Sequence, residues 1–206
     1  MSGDYETVSE VNEGEMSLKG SRFIGISMPC PSEQSIKENL AAAERRYPNA
    51  THDCYAAVYD GADRRERSSD NGEPSGTAGK PMMAVLRGSG LSDTMVIAVR
   101  YFGGTLLGTG GLVHAYTESA TMALDGVKKV RRTLCTVYTF TLDYPTYSRF
   151  EALMSDMMAV RPECAYTDKV DVRAHVRTGD EEAFEKRFSD LTERRTVPFR
   201  AGTEYV

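Results

Sequence analysis

Long apolar runs are missing from this chain of 206 residues. No stretch approaches the roughly 18 consecutive apolar positions that cross a bilayer. Nor is there a basic, apolar leader, since the first twenty residues carry five acidic side chains, Asp4, Glu6, Glu10, Glu13 and Glu15. A cytoplasmic protein with no membrane partner is the expectation. Cysteine is sparse: Cys30, Cys54, Cys135 and Cys164 never form Cys-x-x-Cys. That spacing argues against a zinc ribbon, a thioredoxin-like motif or a compact disulfide framework, and the four read as reduced core or strand residues. A basic surplus is also lacking. The formal net charge is −5, which disfavours strong sequence-independent binding to nucleic acid while leaving a local basic patch open.

Apolar residues at 40% and charged residues at 27% are globular proportions. Strands are expected over Tyr5 to Val11 and Phe23 to Met28, with a polar connection between them, then a helix entered at Ser32 and ended at Tyr47-Pro48. Asp53 to Asp60 has strand character, and Gly61 to Asn71 reads as a charged loop. A helix from Pro81 stops at Gly88 and Gly90. Thr94 to Phe102 is almost continuously apolar, as in a strand covered on both faces. Helical spacing resumes after Gly110 and closes at Gly126. The basic run Lys128 to Arg132 reads as a solvated strand edge, with RNA contact as the alternative. Glycine nearly disappears after it, which places a boundary between residues 1–132 and 133–206. The second part reads strand, helix, strand, strand, helix, strand, the split β-α-β order of ferredoxin-like domains.

Two glycine-punctuated segments dominate the first part, S-D-N-G-E-P-S-G-T-A-G-K-P from Ser69 and R-Y-F-G-G-T-L-L-G-T-G-G-L-V-H-A-Y from Arg100. Each runs into a helix, whose first amides have no internal partner, so the two starts are candidates to line one anion-binding cleft. Gly103, Gly104, Gly110 and Gly111 would supply main-chain donors, with Thr109 as a cap; alternatively the glycines only shape a turn. In the other segment Ser75, Gly76, Thr77, Gly79 and Lys80 surround the helix start. Pro74 and Pro81 occupy the positions of the first glycine and the Ser/Thr of a phosphate-binding loop, which excludes an ordinary nucleoside triphosphatase. Asp70 and Glu73 either form an acid/base pair or hold the loop through backbone amides. Arg100, at a strand end, is either paired with one of them or an anion clamp. His114 is a polar lining residue. His52 and Cys54, two apart on one strand face, are accessory candidates. No catalytic residue, metal ligand or cofactor is assigned.

The runs A-T-H-D-C-Y-A from Ala50, G-E-P-S-G-T-A-G-K-P from Gly72, R-Y-F-G-G from Arg100 and L-G-T-G-G-L-V-H-A-Y from Leu107 resemble the YigZ/IMPACT family over nearly the whole chain. The resemblance implies an α/β (α+β) protein whose N-terminal domain is similar to the fold shared by a ribosomal-protein second domain and the GHMP kinases, followed by a ferredoxin-like βαββαβ domain. It implies a regulator linked to translation or stress response that binds RNA or a ribosome-associated partner, another protein, or a small anionic ligand. An enzyme acting on a small phosphorylated or carboxylated metabolite is the alternative. Three positions depart from the family pattern. Leu106 stands where a lysine is usual, His114 where an arginine is, and Asn71 where an acidic residue is common.

Overall fold

The computed structural model describes residues 3–206, which divide into two units, Tyr5–Arg131 and Arg132–Val206 with Gly3 and Asp4. In the first, the chain runs β1 (Tyr5–Val8), β2 (Asn12–Leu18), β3 (Ser21–Pro29), α1 (Glu33–Arg46), β4 (His52–Tyr59), β5 (Arg65–Ser69), α2 (Gly79–Ser89), β6 (Thr94–Tyr101), α3 (Gly108–Leu124) and β7 (Lys129–Arg132). Strands β2-β3-β6-β4-β5 form one sheet in that order, every neighbouring pair antiparallel, and β7 pairs with β1.

Period-two alternation sends the two faces of each strand to different cores. Ile24, Ile26, Ala57, Tyr59, Met95, Ile97 and Val99 pack with Ile36 and Ala43 of α1. Phe23, Cys54, Ala56, Val58, Val96 and Ala98 pack with Met82 and Leu86 of α2 and with Leu112, Tyr116 and Ala120 of α3. This is why β6 reads as one unbroken apolar run: it is central and buried on both sides.

Two segments differ from expectation. The polar connection before Phe23 is the edge strand β2, on which Gly14 lies against Met122 of α3. Part of the charged loop is the edge strand β5, whose exposed Arg65, Glu66 and Arg67 guard its open side.

The second unit runs β8 (Leu134–Leu142), α4 (Tyr144–Met154), β9 (Glu163–Tyr166), β10 (Val170–Arg177), α5 (Glu181–Leu191) and β11 (Phe199–Tyr205). Its sheet order β11-β8-β10-β9, antiparallel throughout, is the ferredoxin-like arrangement. Phe140, Phe150, Phe184 and Phe188 fill the space under the two helices, with Phe140 and Phe188 ring centroids 4.5 Å apart. Each such buried aromatic contributes about 1.5–3 kcal/mol. The opposite sheet face carries Thr139, Thr141, Asp171, Arg173, His175, Glu163, Glu204 and the exposed Phe199.

Candidate anion-binding site

Strands β5 and β6 run in the same direction because both are antiparallel to β4 between them. The glycine-punctuated segments that follow them therefore leave the same end of the sheet. They also meet: Glu73 of the first accepts hydrogen bonds from Arg100 (2.5 Å) and from the Tyr116 hydroxyl on α3 (2.7 Å). The two segments thus lie side by side, joined through Glu73.

The start of α2 is already filled. Ala78 offers no side-chain cap, and the Asp70 carboxylate accepts the amides of Gly76 (2.8 Å), Ala78 (3.0 Å) and Gly79 (2.8 Å). Partial burial pushes the Asp70 carboxyl up, but those three amides and Lys80 pull it net below the ordinary carboxylate value. Thr77 is buried and donates to the Pro74 carbonyl, while Ser75 and Lys80 stay exposed. Asp70 thus holds the loop, and no external anion is needed there.

A carboxylate held below its usual range stabilises the fold fully at neutral pH, and that contribution is lost as pH falls through the depressed value. Asp70→Asn is expected to cost about 1–2 kcal/mol at pH 7. Urea titrations should show wild type and variant converging below pH 3.8, the ordinary value. A gap of unchanged size in acid would contradict the capping role.

Arg100 is an interior residue, 4% exposed, and Glu73 is 8% exposed. The guanidinium bonds Glu73 and the Ser21 hydroxyl (3.2 Å), and lies over the rings of Phe23 and Phe102. Of the two alternatives for Arg100, the structure has the pair with Glu73, and not the anion clamp. A charge this deep is tolerated only because it is paired.

His52 Nδ1 lies 2.8 Å from the Asn71 carbonyl, which only accepts, so this nitrogen carries the proton. In the neutral ring Nε2 is then a lone pair, 3.9 Å from Glu73. Cys54 is no nucleophile: burial pushes its thiol up to about 12, and Sγ donates to the Asp70 carbonyl (3.0 Å). Burial, with its neighbours Cys54 and Glu73, likewise raises the Tyr116 hydroxyl far above its ordinary value.

The start of α3 is open. Leu107 gives no side-chain cap, the first turn holds no acidic residue, and Gly108, Thr109 and Gly110 are exposed. Thr109 lies inside the helix and does not cap it, a correction that follows from the helix beginning at Gly108. Gly103 has a different task. A Cβ there would overlap the backbone of Gly20 and Ser21, so its missing side chain admits the β2–β3 turn. Gly104 (φ +84°) and Gly108 (φ +72°) take left-handed angles, and Gly110 faces open space. A Cβ on Gly111 would touch Leu107. His114 is exposed one turn on, and Leu106, before the helix, is 83% exposed.

Ser21, Thr51 and Tyr116 belong to this end of the sheet and were not singled out by sequence. Ser21 Oγ joins Arg100 to the Gly103 amide, and Thr51 Oγ1 accepts the Phe102 amide. Tyr116 sits at an apolar helix position, so only its hydroxyl could have signalled a partner.

These features define a two-unit α+β protein with a glycine-lined sheet end in its first unit and a ferredoxin-like second unit. The Impact N-terminal domain is recognised over residues 19–124. The chain is 35% identical over 188 residues to IMPACT family member YvyE of Bacillus subtilis, covering 91% of this chain and 87% of that one. It is 40% identical over 139 residues to IMPACT family member YigZ of Escherichia coli, covering 66% and 68% respectively. A crystal structure titled only as that of a hypothetical protein matches with a TM-score of 0.69 at 31% identity, over 97% of this chain and 98% of that one. The chain belongs to the IMPACT family. Among the described residues, no helix is long and apolar enough to cross a membrane.

Proposed function

We propose that this protein is a regulator linked to translation or stress response, acting by binding an anionic partner at the open start of α3 without turning it over. The observation that carries this reading is the contrast between two helix starts at one sheet end: Asp70 fills that of α2, whereas the exposed amides of α3 have no side-chain cap. The absence of turnover is supported by the fate of the reactive groups, since Cys54, Glu73, Arg100 and Tyr116 are buried in bonds to one another or to backbone. RNA is the first partner to test, because its phosphates suit main-chain donors.

Filter binding of structured and single-stranded RNA near physiological salt should give saturable retention. Gly110→Asp, which puts a carboxylate into the first turn, should weaken it about tenfold or more. No retention, together with no recovery of ribosomes in a pull-down, would reject the regulatory reading. The second reading, turnover of a small phosphorylated or carboxylated metabolite, draws support from the His52 ring, which is oriented by the Asn71 carbonyl and stands 3.9 Å from Glu73. It expects a stabilising metabolite in a thermal-shift screen and loss of turnover in His52→Gln with the melting temperature unchanged.

A further inference from the structure

We propose that the C-terminal unit carries a separate site for a phosphate-sized anion, in the pocket between the start of α4 and the loop after α5. The pocket has a volume of about 200 Å³. That is below the 300 Å³ or so at which ordinary small-molecule sites begin, so a phosphate or the terminal phosphoryl group of a larger ligand is the fitting occupant. Its charged lining comes from three places in the fold: Asp143 at the start and Arg149 in the middle of α4, Lys169 in the β9–β10 turn, and Glu193 and Arg195 after α5.

The two carboxylates are already engaged. Asp143 caps α4 through the Thr146 amide at 2.8 Å, and Glu193 is bonded to Arg195. Arg149 and Lys169 form no ion pair within 4 Å among the described residues, though Lys169 and Arg195 both act on the Asp143 carboxylate across the same small cavity. Three cations against two committed carboxylates leave a net positive lining in a chain whose overall charge is negative. Arg149 brings the planar fork that suits phosphoryl oxygens, and Lys169 a point charge.

The backbone positions the third group. Glu193 (φ +52°) and Arg194 (φ +62°) are consecutive left-handed residues that each carry a Cβ, a conformation normally left to glycine. The turn is held by the Arg194 amide on Ser189 and the Arg195 amide on Thr192, and it sets Glu193 and Arg195 at the pocket wall. This left-handed turn closes the C-terminus of α5 and so fixes where the two side chains stand.

The full-length chain should be titrated with inorganic phosphate at constant ionic strength, following the amide NMR signals of Thr146, Lys169 and Arg195, with sodium chloride as the control. Saturable shifts confined to these signals are expected, and Arg149→Gln/Lys169→Gln should weaken binding about tenfold or more while the remaining spectrum stays native. Tighter binding of glycerol 3-phosphate would assign the site to the phosphoryl group of a larger ligand, and equal binding to phosphate itself. Shifts that match those of chloride, or a double variant that titrates like the wild type, would overturn the proposal.

Discussion

Glu73→Gln is expected to cost the N-terminal unit about 3–5 kcal/mol, the usual effect of leaving one partner of a buried ion pair uncompensated. The substitution keeps the size of the side chain and removes only its charge. Arg100 would remain 4% exposed, with Ser21 as its other side-chain hydrogen-bond partner and two aromatic faces around it. Tyr116 would keep an acceptor at position 73, so the loss isolates the charge and not the hydroxyl contact. At a few degrees per kcal/mol, the melting temperature of this unit should fall by roughly 10–20 °C.

The double variant Glu73→Gln/Arg100→Met should recover much of that loss, because it removes both charges from the interior while the amide at position 73 still accepts from the Tyr116 hydroxyl. Calorimetry on the two variants separates the outcomes. A single-variant loss under about 1 kcal/mol would mean that water reaches Arg100, contrary to its burial here.

Gly103→Ala should be the most damaging substitution among the loop glycines. Its Cβ would run into main-chain atoms of Gly20 and Ser21, which cannot swing aside as a side chain does. Overpacking of that kind costs about 1–3 kcal/mol, sometimes more. Gly25→Ala belongs to the same class, because its Cβ would overlap the Ser119 carbonyl of α3. Gly110→Ala provides the contrast. Nothing lies within 4 Å of its added carbon, and alanine is the better helix former by about 1 kcal/mol. Urea midpoints for the three variants test the point directly, and a Gly103→Ala no worse than Gly110→Ala would remove the close approach from the account.

Legibility from sequence followed the strength of the local pattern. Strand β6, with its run of buried residues, and helix α1, with Ser32 accepting the Ser35 amide, announced themselves. The ferredoxin-like order was readable because each of its elements alternates or repeats cleanly around short turns. Strands β2 and β5 were not, since Asn12–Leu18 and Arg65–Ser69 are polar edge segments whose strand character comes from pairing with β3 and β4. That the two glycine segments leave the same end of the sheet follows from strand order. Which helix start was vacant could not be read, because the answer lay in where a single carboxylate, that of Asp70, turned.

The approach of Gly103 to Gly20 also has an evolutionary consequence. The floor of this surface is made of peptide groups, so its shape should outlast wide drift in the neighbouring side chains. Leu106 and His114 are then free variables on a fixed mould. Swapping them for lysine and arginine should change the charge of this surface without moving its main chain.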